Sequence, residues 1–129
     1  MAAIVFFGLT CALVDQDLFV RGTEIHALVD QDLFVGGTDG YYCYRLPNLI
    51  QLPTPGHLLA IAQAHKYDCY DDGWADVVAK SSTDNGKTWN EQRLIYTESV
   101  AGKTNVTVGT PSAVADLTTG AVFLFVCVR

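Results

Sequence analysis

Ser82-Thr83-Asp84-Asn85-Gly86-Lys87-Thr88-Trp89 decides the reading of the fold, because it fits S-x-D-x-G-x-T-W, a hairpin turn in which several residues have a role. Asp84 can accept amide hydrogens of the turn, Gly86 can take a positive φ, and Trp89 can pack underneath. Short apolar runs flank it at residues 75–81 and 92–97. Upstream, residues 43–51 and 57–64 are strand-like runs separated by Pro53-Thr54-Pro55-Gly56, and a loop rich in Asp and Tyr leads on to Ala75. Together these predict four antiparallel strands with short connections. Downstream, residues 110–115, the turn Thr118-Thr119-Gly120 and residues 122–128 begin a second unit.

Composition agrees with an all-β class. Half of the 129 residues are hydrophobic and 17% are charged, with Gly frequent and the apolar runs rich in Val, Ile, Phe and Tyr. The net charge of -6, without any basic run, argues against a nucleic-acid partner, which needs clustered Lys and Arg. An anionic ligand would meet an opposing overall field, so a few arginines would have to recognise it locally. The four cysteines, Cys11, Cys43, Cys69 and Cys127, form no CxxC pair, which leaves zinc or a redox dithiol poorly supported and reads as free buried thiols.

The N-terminal segment, residues 1–31, carries a duplication. ALVDQDLFV occurs at 12–20 and again at 27–35, an offset of fifteen that is too short for a solenoid or blade repeat. Two identical strands competing for one place in a sheet leave register poorly specified, so only the second copy is expected to take it. Residues 1–14 are apolar enough for a signal-peptide core, but lack a basic flank and are too short to span a bilayer; a core strand fits equally well. No stable membrane span is expected. Asn105-Val106-Thr107 is a glycosylation sequon, meaningful only in a secreted chain.

The 82–89 pattern resembles the Asp-box of sialidases and related β-propellers, where it joins the two outer strands of a blade. The resemblance implies a structural role, remote from substrate, for Ser82, Asp84, Gly86, Thr88 and Trp89. Tyr44-Arg45-Leu46-Pro47 resembles the arginine motif that opens the first strand of the sialidase domain. The resemblance extends from about Asp32 to the end and includes Gly109-Thr110-Pro111, so the implied domain is 32–129, with a first blade at about 42–98 and the start of a second at about 106–129. A six-bladed propeller at roughly 45 to 50 residues a blade would need more than twice this chain.

The resemblance also implies site residues. Arg45 would belong to a triad gripping the sialic-acid carboxylate, a task for a planar guanidinium that binds bidentately and keeps its charge. The stretch from Leu58 to His65 and from Asp71 to Lys80 resembles the region that carries the family's acid/base aspartate, which falls on Asp71, with Asp72 as the fallback. A general acid near neutral pH needs a raised pKa, and Asp72 together with partial burial is expected to supply it. His65 stands where the family often has a pocket-lining Arg, and Gln63 where an acidic residue is common. Read without the family, Arg45 is a surface salt-bridge residue, Asp68, Asp71 and Asp72 a solvated acidic loop, and His65 a satisfied core histidine.

For a complete enzyme the resemblance implies an exo-α-sialidase, a retaining glycosidase with a tyrosine nucleophile, acting on sialylated glycoproteins, glycolipids or oligosaccharides without metal or cofactor. A phenol suits this substrate because its anomeric carbon bears a carboxylate that repels an anionic nucleophile. The tyrosine, its glutamate partner and two further arginines lie in later blades of the family, so the chain alone is expected to be inactive. The rival readings are a non-catalytic sialoglycan-binding propeller module, suggested by His65, and a self-sufficient small β-domain whose motifs are only turns. The compartment is left open, with a secreted or lysosomal setting favoured.

Overall fold

The computed structural model describes residues 2–7, 10–15, 30–98 and 106–129. Among them the chain is all β, with nine strands in three antiparallel sheets and no helix. β1 (Ala2–Phe7), β2 (Thr10–Asp15) and β3 (Asp30–Val35) form a three-stranded sheet. β4 (Cys43–Gln51), β5 (Leu58–His65), β6 (Ala75–Ser82) and β7 (Arg93–Tyr96) form a four-stranded meander in sequence order. β8 (Val108–Ala115) and β9 (Val122–Val128) form a hairpin. No sheet among the described residues closes on itself. Asn105 of the sequon and residues 16–20 of the first repeat copy lie outside the described residues.

The two repeat copies do not compete for one position. Residues 12–15 of the first lie in β2 and residues 30–35 of the second in β3, and these strands pair antiparallel, with Ala12 opposite Asp32 and Val14 opposite Asp30. A run with Leu, Val and Phe on either side of Asp-Gln-Asp suits a strand whether it is placed first or second.

The meander is buried on both faces. On one, Tyr44, Ala60, Ala62, Ala64 and Val78 meet Leu33 and Phe34 of β3, with Tyr41, Leu49 and Trp89 around them. On the other, Ile61, Val77 and Ala79 meet Val108 of β8, with Leu124 and Val126 of β9 alongside. The small side chains of β5 let both layers approach, which explains why Ala60 through His65 are all buried. Gln63 crosses the second interface and donates through Nε2 to the Val108 carbonyl at 3.1 Å.

The 82–89 turn is built from its side chains. Ser82 Oγ donates to Asp84 Oδ1 at 2.8 Å and accepts from the Gly86 amide at 2.9 Å. Asp84 also accepts from the amide and hydroxyl of Thr88, at 2.9 and 2.6 Å. Those bonds hold its carboxyl well below the usual range, down to about 2, with the Thr88 hydroxyl as the main cause. Asn85 and Gly86 both take left-handed backbone angles, φ 60 and 84°. Trp89 packs against the β3-side core and donates to the Gly86 carbonyl at 3.0 Å. The turn follows Ser82, at the opposite end of β6 from Ala75, about 23 Å away at ~3.3 Å per residue.

Candidate functional site

Strand alternation and register decide which side chains share a face. Tyr44 turns into the β3-side core, so Cys43 and Arg45 turn to the other face. Antiparallel pairing sets Cys43 opposite His65 and Arg45 opposite Gln63, and on the next strand His65 opposite Ala75 and Gln63 opposite Val77. Directly opposed residues lie on the same side of a sheet, so Cys43, Arg45, Gln63 and His65 form one patch on the β8-facing side. Immediately after Arg45 the register shifts, with Asn48 opposite Ile61, and Leu46 takes φ 49° before Pro47. This is a bulge, and it leaves Leu46 and Pro47 outside the ladder just beyond Arg45.

The 66–74 loop folds back toward this patch. Its base is closed by the Lys66 amide donating to the Trp74 carbonyl at 2.9 Å. A disulfide joins Cys69 to Cys43. Arg45 Nη1 donates to the Cys69 carbonyl at 3.0 Å and to Asp71 Oδ1 at 2.6 Å, an ion pair between residues 26 apart in sequence. Asp72, the fallback, is exposed in the same loop, and the ion pair is made by Asp71. On the far side, Thr107 Oγ1 donates to the Gly73 carbonyl at 2.6 Å.

Behind the loop lies a second polar group. Asp76 is buried, and its two oxygens accept from Tyr41 Oη at 2.9 Å and Trp74 Nε1 at 3.0 Å. Burial, and then the bond to Asp76, push the Tyr41 hydroxyl far above its ordinary pKa, so it remains a neutral donor. Lys66 Nζ sits 4.5 Å from the centre of the Tyr41 ring, and Tyr67 meets Trp74 edge-on.

Two expectations are corrected here. Cys43 and Cys69 are not free thiols: β4 and the returning loop bring their Cα atoms to 5.8 Å, and the sulfurs are bonded. Cys127 is free but exposed. Nor is the pKa of Asp71 raised. It is lowered, first by the hydrogen bond from Arg45 and then by that residue's charge, because the carboxyl is exposed rather than buried and its partner is a cation rather than Asp72. His65 is buried, and its Nε2 has no hydrogen-bond partner. Burial, and secondarily the Arg45 charge, lower its pKa, while Asp68 and Asp71 act in the opposite sense. It is therefore a neutral imidazole lying close to Arg45.

Sequence reasoning missed the disulfide and the Tyr41–Asp76–Trp74 bridge. Cys43 precedes Arg45 by two residues and Cys69 precedes Asp71 by two, a spacing that points to the disulfide only once Arg45 and Asp71 are known to meet. Among the described residues, no group of three or more His, Cys, Asp or Glu side chains is arranged to hold a metal ion, and no helix is long and apolar enough to cross a membrane.

Fold and patch together define an all-β protein in which an arginine on the first strand of a meander is ion-paired to a carboxylate of the loop between the second and third. The chain is similar to the "Sialidase" of Micromonospora viridifaciens, with 34% identity over 114 residues, 86% of this chain but 14% of that protein. The similarity supports a relation to the sialidase family. No protein-family model matches the chain.

Proposed function

We propose that the chain carries part of the active site of an exo-α-sialidase, built on the first blade and the start of the second of a six-bladed β-propeller. Arg45 holds the sialic-acid carboxylate and Asp71 is the acid/base residue. The observation that carries this reading is the Arg45–Asp71 contact, which brings a carboxylate-binding cation and a loop carboxyl within reach of one monosaccharide. The likeness to a sialidase over most of the chain supports it, as does the position of the 82–89 turn at the far end of β6, which agrees with a structural Asp-box.

The ion pair suggests how binding would be coupled to proton donation. Without ligand, Asp71 occupies Arg45 and is held ionised. A sugar carboxylate, itself a bidentate acceptor, competes for the same guanidinium. Once displaced, Asp71 loses the hydrogen bond and cation that depress its pKa, which therefore rises toward the range a general acid needs. The tyrosine nucleophile, its glutamate and two further arginines would come from later blades, so this chain is expected to bind without turnover.

The test is an NMR titration of the labelled chain with N-acetylneuraminic acid and, separately, with its methyl ester. Shifts at the Arg45 guanidinium and the Asp71 carboxyl are expected with the acid and not with the ester. Equal responses, or none with the acid, would sink the proposal. The buried, neutral His65 favours a second reading, a sialoglycan-binding module without catalysis. In the longer protein that both readings suppose, release of a fluorogenic aglycone from a sialoside supports the enzyme, and binding without release supports the module.

A further inference from the structure

We propose that the Cys43–Cys69 disulfide is the positioning device of this site: it holds the 66–74 loop so that Asp71 reaches Arg45, and the ion pair is lost when the two sulfurs are separated. The inference concerns the Arg45–Asp71 pair on which the sialidase reading also rests, but it stands on the loop's own contacts.

The geometry is that of a clamp. Cys43 lies on the same face of β4 as Arg45, two residues before it, and its partner Cys69 lies two residues before Asp71. Cross-linking the two therefore sets two short parallel paths side by side, from sulfur to guanidinium along the strand and from sulfur to carboxylate along the loop. Arg45 Nη1 closes the gap at both points, donating to the Cys69 carbonyl and to the Asp71 carboxylate.

Little else holds the middle of the loop. Its two ends are fixed: Lys66 and Trp74 are joined by a backbone bond, Trp74 is tied to Asp76, and Gly73 accepts from Thr107. Between them, Tyr67 and Tyr70 are 65% and 76% exposed, and Asp71 and Asp72 are exposed as well. The remaining bond there, from the Tyr70 amide to Asp68, is internal to the loop and does not anchor it. An exposed ion pair contributes too little to order several residues by itself, so without the covalent link the loop should spend most of its time away from Arg45.

The site would then be assembled only in the oxidised chain, which suits an oxidising compartment. Reduction by an added dithiol such as dithiothreitol breaks the S–S bond. Two electrons and two protons pass to the Cys43 and Cys69 sulfurs, and the dithiol becomes a cyclic disulfide.

The experiment follows the Asp71 side-chain carboxyl and the loop amides by NMR in three samples: the oxidised chain, the same chain reduced with dithiothreitol, and the Cys43→Ser/Cys69→Ser double variant. In the oxidised chain Asp71 should titrate below an ordinary aspartate, and amides 67–72 should be ordered. In the other two Asp71 should move up to the ordinary aspartate value and the loop amides should lose protection, while amides of β5 and β6 keep theirs. The proposal is overturned if Asp71 and the loop are unchanged after reduction. It is equally overturned if reduction unfolds the whole meander, since the link would then be a general staple rather than a local one. No sugar enters the measurement, so a failed sialic-acid titration beside an intact redox response would count against the sialidase reading alone.

Discussion

Tyr41→Phe removes one oxygen and leaves the ring in place, so it tests the buried bridge that fixes the exit of the loop. Asp76 is 4% exposed and its Oδ2 accepts from Tyr41 at 2.9 Å, while Oδ1 accepts from Trp74 at 3.0 Å. Without the hydroxyl, Oδ2 has no replacement donor in a buried position. A hydrogen bond to a carboxylate is worth about 1.5–3 kcal/mol, and no cavity forms, so the expected loss is ~2 kcal/mol, roughly thirty-fold in the folded-to-unfolded ratio. In urea, with a slope of about 2 kcal/mol per M for a chain of this size, the midpoint should fall by about 1 M with the slope unchanged. The pH dependence can be fixed in advance. Tyr41 has a folded pKa raised above its unfolded value, so its contribution is fully present below pH ~10 and fades only as pH climbs toward the folded value. The difference between native and variant should therefore be flat from about pH 6 to 9. Midpoints within about 0.3 M of each other would refute the argument, because they would mean that water or Trp74 alone satisfies Asp76.

The other stability predictions concern single titrating groups. Asp84 has a folded pKa of about 2 against an ordinary 3.8, so the advantage of the native chain over Asp84→Ala should be present above pH ~4 and vanish as pH falls toward 2; urea midpoints that differ equally at pH 6 and pH 2.5 would contradict it. His65 has a lowered folded pKa, so the unfolded chain takes up its proton first and stability should fall as pH drops below 6.5, a loss that His65→Gln should abolish. Parallel curves for native and His65→Gln between pH 7.5 and 5.5 would show that His65 is not the titrating group.

Most of the strands were legible because their signals are local. Residues 43–51 and 122–128 lie between turn residues, and they are β4 and β9 with the same limits; β6 differs from the expected run by one residue at one end, β5 and β7 by one residue at each end, and β8 begins two residues earlier. The resemblance assigns Arg45 and Asp71 to one site, but their direct ion pair was not legible, because it depends on a loop that doubles back across 26 residues. The direction of the Asp71 pKa followed the same gap: neighbours in sequence suggested Asp72, whereas the neighbour in space is Arg45. The disulfide was hidden for a similar reason, since cysteine spacing gives no register, and Cys43 faces Cys69 only after β4 has paired with β5 and the loop has turned.

A feature common to β4 and β8 bears on whether the second unit repeats the first. In β4 the register slips between Arg45 and Asn48, with Leu46 at φ 49° before Pro47. In β8 it slips between Gly109 and Ser112, with Thr110 at φ 51° before Pro111. A left-handed residue other than glycine is uncommon, and one placed before proline inside a bulge is more so, so its recurrence at the same step of two strands argues for one structural unit used twice rather than for two accidents. By that equivalence Gly109 takes the place that Arg45 holds in the first unit. A Cβ built at Gly109 would lie 3.4 Å from Gln63 Nε2, in contact with the side chain that donates to the Val108 carbonyl. The fold thus uses a bulged strand of the same form twice, with the cation Arg45 at the bulge in one copy and the bare backbone of Gly109, against Gln63, in the other.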